Sequence, residues 1–151
     1  MMERRGQKAV EKFVNGYNCS QAVLSAYCDL FGLDETTAFK LSESFGLGMG
    51  MKKECGALIG MLMVGGLASS DGNLGQGTSK QDTYKVARAF SEAFEEEMGT
   101  TLCGELLKKE REMKEAASQE ELDATNGKNL ICTKCVKMAG ELLDEYLEGK
   151  E

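Results

Sequence analysis

The segment from Cys55 to Ser69, Cys-Gly-Ala-Leu-Ile-Gly-Met-Leu-Met-Val-Gly-Gly-Leu-Ala-Ser, contains no charged residue, and it constrains the fold more than any other stretch. A bilayer span takes about 20 consecutive apolar residues. This run is shorter and is interrupted by Gly56, Gly60, Gly65 and Gly66, so no membrane span is expected. A helix that is apolar all round must instead be buried at the centre of a bundle, over about residues 54–69. Gly56 and Gly60 lie four residues apart, on one face of that helix. They would let another backbone, or a cofactor, approach closely, and both uses stay open.

The rest of the chain supplies helices to bury this one. It has no proline, few β-branched runs, and apolar residues recurring at spacings of three and four, which together predict an all-α fold. The pattern places helices at 2–15, 19–31, 35–45, 54–69, 80–98, 102–116, 119–125 and 131–148, in one domain over residues 1–151. Asn18 with Gln21 and Ser118 with Glu121 have the spacing of a capping box, and Asp34 is placed to cap the helix after it. Two glycine-rich connectors interrupt the pattern, one at residues 46–50 and one at residues 71–77. The first does not read as a dinucleotide fingerprint, because no strand precedes it and the third glycine and the downstream acid are missing at the required spacing.

Composition narrows the chemistry. A formal charge of −7, from 25 acidic and 18 basic residues, opposes nucleic-acid binding, which rests on neutralising phosphates. The chain has no histidine, so it lacks the commonest general base and metal ligand, and it cannot attach a c-type haem. Met1 to Lys8 is charged, with no apolar stretch behind it to act as a signal peptide, and a cytoplasmic location is expected. Six cysteines in 151 residues are too few for a disulfide scaffold. In a reducing cytosol such cysteines more often bind metal or turn over.

Their placement is the informative feature. Cys19 follows the Asn18 cap, Cys55 follows the first glycine-rich connector, Cys103 follows Thr100 and Thr101, and Cys132 stands at the start of the last helix. A helix N-terminus offers unpaired N–H groups and about half a positive charge, which favours thiolate over thiol. Lowered pKa values are therefore expected for all four, suiting them to be metal ligands or nucleophiles. Cys28 is nine residues beyond Cys19, which at about 100° per residue turns it to the opposite face of the helix, so it is left out of the site. Cys132 and Cys135 form a Cys-x-x-Cys pair, and Cys135 is held as a reserve ligand or a resolving thiol.

Asn18-Cys19-Ser20-Gln21-Ala22-Val23, then Cys55-Gly56-Ala57-Leu58-Ile59-Gly60, then single cysteines at Cys103 and Cys132, resemble the family labelled C_GCAxxG_C_C, whose redox role is inferred from its four cysteines. The resemblance runs from Gly16 to about Leu143. A similar module occurs joined to a haem domain in a split-Soret type cytochrome, where it is associated with an iron-sulfur cluster. The resemblance thus implies redox chemistry and suggests an iron-sulfur cofactor, with Cys19, Cys55, Cys103 and Cys132 as the matching positions.

Four cysteinates are the usual complement of such a cluster. The leading expectation is an electron-transfer module binding a cluster of the two-iron kind (2Fe-2S) through those four cysteines, with Gly56 and Gly60 making room beside it. Thiol–disulfide chemistry by the same cysteines without metal is the alternative, and a structural zinc module is another. No enzyme substrate is assignable. The expected partner is a redox protein, with a homodimer left open.

Overall fold

The computed structural model describes residues 3–150. Among them the architecture is all-α, with one isolated antiparallel β-bridge between Glu54 and Leu102. The helices are α1 (Gly6–Val14), α2 (Cys19–Tyr27), α3 (Glu35–Ser42), α4 (Gly56–Ser69), α5 (Lys80–Met98), α6 (Cys103–Leu107), α7 (Glu110–Ala116), α8 (Gln119–Ala124) and α9 (Leu130–Glu148). Short 3-10 turns at Cys28–Phe31 and Glu43–Phe45 extend α2 and α3. No described helix is long and apolar enough to cross a membrane.

The local signals explain most of the boundaries. Asn18 and Ser118 each accept a hydrogen bond from the backbone three residues on, and Gln21 and Glu121 reciprocate, completing two capping boxes. Asp34 accepts from the Thr37 amide at 2.9 Å and caps α3. The first expected helix was to begin at Met2, which lies outside the described residues; Glu3 to Arg5 precede the observed start. Its cap comes from the other end of the chain: Asp144 of α9 accepts from the Arg5 amide at 2.8 Å, the Gly6 amide at 2.9 Å and the Tyr27 hydroxyl at 2.8 Å. This buried carboxylate ties α1, α2 and α9 together, and no local pattern announces it. The single helix expected over 102–116 is instead two, α6 and α7, which break at Lys108–Lys109. There the Lys109 ammonium turns back to the Met98 carbonyl at the end of α5, 2.6 Å away.

Helix α4 runs through the middle, packed by α2, α5 and α9. Gly56, Ala57, Leu58, Gly60, Met61, Val64 and Gly65 are buried. Burial is not complete around the helix, however. Ile59, Leu62 and Met63 are half-buried and Leu67 is 39% exposed, because the elements that pack on α4 leave a strip toward its C-terminal end uncovered. Gly60 is the point where α2 crosses: a β-carbon there would lie 2.9 Å from the Ser20 carbonyl oxygen and 3.0 Å from the Val23 β-carbon.

The crossing sets the sign of a substitution. In an unconstrained helix, glycine to alanine adds stability of about 1 kcal/mol, whereas forcing a methyl into a packed contact costs about 1–3 kcal/mol. The obstacle at Gly60 includes backbone, which cannot rotate away. Gly60→Ala is therefore expected to destabilise the fold by about 1–3 kcal/mol, read as a lowered midpoint of urea unfolding with an unchanged slope. A raised midpoint would show that α2 can move aside.

Candidate metal centre

Cys19, Cys55, Cys103, Cys132 and Cys135 all line one cavity of about 220 Å³ at the end of the bundle where α2, α4, α6 and α9 begin. Cys19 and Cys103 are the first residues of α2 and α6, Cys55 is the N-cap of α4, and Cys132 is in the first turn of α9. Cys135 stands one turn deeper on the same face of α9 as Cys132. Cys55, Cys103 and Cys135 are buried, and Cys19 and Cys132 are half-buried. Cys28 is elsewhere, buried in the core, with its thiol donating to the Ser25 carbonyl at 3.5 Å.

Three devices bring these sulfurs together. The first is α2 lying against the start of α4: a β-carbon on Gly56 would sit 2.4 Å from the Cys19 sulfur and 2.9 Å from the Phe45 carbonyl oxygen, so only glycine admits Cys19 to this place. Gly60 is one turn further on and serves the helix crossing rather than the cavity wall. The second is the bridge between residues 53–55 and 101–103, in which the Cys55 amide donates to the Thr101 carbonyl at 2.8 Å and the Cys103 amide to the Lys53 carbonyl at 2.6 Å. That pairing joins Cys55 to Cys103 across 48 positions of chain. The third is Glu110 of α7, whose carboxylate accepts from the Leu130 and Ile131 amides at 2.8 and 2.7 Å and so anchors the start of α9 beside the site.

Between α3 and α4 the backbone winds the wrong way. Leu47, Gly48, Met49 and Gly50 have φ of 54°, 57°, 61° and 72°, and Lys52 has 58°. This is a left-handed turn, costing about 1–2 kcal/mol for each non-glycine residue in it. The Lys53 amide closes the turn onto the Gly48 carbonyl at 3.1 Å, and Leu47 lines the cavity together with Cys19.

The electrostatics correct the expectation that all four helix-start thiols have lowered pKa values. Burial, reinforced by the neighbouring Cys55, pushes the Cys19 thiol up to about 11, against hydrogen bonds from the Leu47 and Ser20 amides. Burial and Cys19 push Cys132 up to about 12, although the Asn129 side-chain amide donates to its sulfur at 3.9 Å. Cys103 is also raised, by burial and by Cys55, with Lys52 opposing. Only Cys55 is lowered. The Cys135 thiol beside it stabilises the thiolate, and the Leu58 and Ala57 amides at the start of α4 assist, against burial. Cys135 is correspondingly raised by Cys55 and by burial. Desolvation can move a pKa by up to about 3–5 units, whereas a helix end contributes about 0.3–1 kcal/mol, less than one unit; burial wins wherever no specific donor is added. At α9 the Glu110 carboxylate already occupies the helix end that would have helped Cys132.

Among the described residues no three Cys, Asp or Glu side chains are spaced to hold a single metal ion. The five cysteines line a common space without converging on one ion position.

Residues 17–146 match the family described as "Putative redox-active protein (C_GCAxxG_C_C)". The chain belongs to this family. No curated protein and no solved structure matches it significantly. The four cysteines that open α2, α4, α6 and α9 all lie within the matched residues. Leu47, Lys52, Asn129 and Glu110 also act on the site and were missed from sequence. Asn129 had a signal, since it stands three residues before Cys132 as an N-cap. Glu110 had none, because it reaches α9 only through the fold. Cys135, held in reserve from its Cys-x-x-Cys spacing, is on the cavity wall.

The uneven pKa values have a direct readout. In reduced, metal-free protein, thiolate absorbance in the ultraviolet is expected to rise in separated steps, one below the usual cysteine range and belonging to Cys55, the others near pH 11 and 12 for Cys19 and Cys132. Cys55→Ser should abolish the first step, and Cys135→Ala should move it upward. A single step at the ordinary cysteine value would contradict the arrangement.

Proposed function

We propose that this protein is an electron-transfer module that holds an iron-sulfur cluster of the two-iron kind through Cys19, Cys55, Cys103 and Cys132. The observation that carries the reading is the cavity itself: five sulfurs line about 220 Å³ of space without converging on one ion position. A water needs about 10–15 Å³ of such space, so there is room for a group much larger than one ion. Zinc would require thiolates drawn to about 2.3 Å from a common centre. A cluster separates its four cysteinates around a wider core, which suits this spread better.

The donor set fits the chemistry. When bound, a cluster would supply reversible one-electron storage. The protein's part is to hold thiolates that it does not by itself stabilise. With Cys19 and Cys132 raised to about 11 and 12, the metal-free site is largely protonated at neutral pH, so loading releases protons and strengthens with rising pH. Asn129 directs a side-chain N–H group at Cys132, the kind of hydrogen bond to sulfur that sets a cluster's potential. Cys55 and Cys103 are placed together by the backbone bridge, and Gly56 leaves the volume that Cys19 occupies.

One observation favours a second reading. Cys55, with its lowered pKa, stands beside the protonated Cys135 thiol, as an attacking thiolate stands beside a resolving thiol in disulfide exchange. The two readings separate on Cys135. In the cluster reading, anaerobically purified protein shows visible absorption with about two irons and two sulfides per chain. Serine at Cys19, Cys55, Cys103 or Cys132 then removes most of the iron, while Cys135→Ser and Cys28→Ala keep it. Gly56→Ala should lower the iron content by displacing Cys19. In the disulfide reading the protein is colourless and Cys135→Ser abolishes its redox activity.

A further inference from the structure

We infer that the face at the mouth of the cysteine cavity docks an acidic electron-carrier protein; this rests on the redox reading of the cavity and adds to it the class of partner. The face is made of residues 47–53 and 102–108, joined by the bridge that also joins Cys55 to Cys103. It exposes Leu47, Met51 and Leu102 by 51%, 60% and 40%. Leu107 belongs both to the cavity wall and to a shallow groove that Lys52, Leu102 and Lys108 also line. Large apolar side chains grouped beside a site and rimmed by polar ones mark an interaction surface. The left-handed turn that presents Leu47 and Met51 is strained backbone at the edge of the site.

Charge selects the occupant. Lys52, Lys53 and Lys108 are exposed, and among the described residues none of them is in an ion pair. Glu54 and Glu105 share the face, and Glu105 is engaged by the Thr100 hydroxyl at 2.8 Å. With Lys128 at the cavity wall, the rim carries an excess of positive charge on a protein of net charge −7. A second copy placed here about a two-fold axis would set these lysines against their own equivalents. An acidic partner meets complementary charge around an apolar centre, the arrangement that steers encounter and fixes orientation.

The local rim and the whole molecule predict opposite salt effects, which makes the test decisive. The full-length protein is titrated against an acidic plant-type ferredoxin as probe, and the Kd is read at rising ionic strength. Docking on the lysine rim predicts binding that weakens at least tenfold between about 0.01 and 0.15 M salt, as the Debye length falls from about 30 to about 8 Å. Net charge alone predicts repulsion that salt relieves. Lys52→Glu with Lys108→Glu should weaken binding at least tenfold, while Lys80→Glu with Lys85→Glu, an equal charge change on α5, should leave it within about twofold. Leu47→Ser should weaken binding without changing its salt dependence. Circular dichroism confirms that the variants are folded, and iron analysis is made separately. Wild-type protein that holds iron but does not bind the ferredoxin overturns this inference alone, and anaerobically purified wild-type protein that binds it yet contains no iron overturns the cluster reading alone. Binding that tightens with salt, equal effects of the two lysine pairs, or a dimer that Leu47→Ser dissolves would overturn the docking face.

Discussion

The close crossing of α2 and α4 brings Cys19 and Cys55 together, and the rest of the cavity is assembled around that pair. The crossing depends on two missing side chains. A β-carbon at Gly60 would strike the backbone of Ser20, and one at Gly56 would strike the Cys19 sulfur. With both absent, two helices that start at the same end of the bundle lie flank to flank, and their first cysteines meet. The apolar character of α4 supplies the driving force, since each large side chain it buries contributes about 1.5–3 kcal/mol. The glycines decide how near the helices come. Helix α9 completes the arrangement because Asp144 binds the start of α1 and the Tyr27 hydroxyl together, and α9 carries Cys132 and Cys135 to the same cavity as Cys19 and Cys55.

The site so built is unfavourable for a set of thiolates. Most of its cysteines are pushed toward the neutral thiol by burial and by one another, and only Cys55 is assisted enough to fall. A pocket of this kind has little reason to keep several cysteines ionised unless positive charge enters it. Bound metal inverts the pKa logic of its ligands, so the same burial that disfavours free thiolates would shield a loaded group from water and from exchange. Membership of the C_GCAxxG_C_C family supports redox chemistry, and the cavity lined by five cysteines gives such chemistry a place in the fold.

Much of this was legible in the chain. The all-α class, the central apolar helix and both capping boxes follow from period, composition and caps, which act over a few residues. So does the placement of four cysteines at helix starts, and the exclusion of Cys28, which stands in the core on the far side of Cys19. What was not legible depends on groups distant in sequence. The bridge between residues 53–55 and 101–103 is too short to show as a strand. The cap that Glu110 gives α9 crosses 20 positions, and the cap that Asp144 gives α1 crosses 138. The division of 102–116 into α6 and α7 reflects Lys109 reaching the end of α5, a contact with no local trace.

The sequence by itself determined the all-α class, the central place of α4 and which cysteines stand at helix starts, because hydrophobic period and capping are properties of neighbouring residues. Tertiary structure decided the rest. It set Cys135 on the cavity wall with the other four, gave Gly56 to the site and Gly60 to the crossing, and reversed the expected pKa of three thiols. Those outcomes turn on desolvation and on the identity of the nearest sulfur, and neither exists until the chain has closed around the cavity.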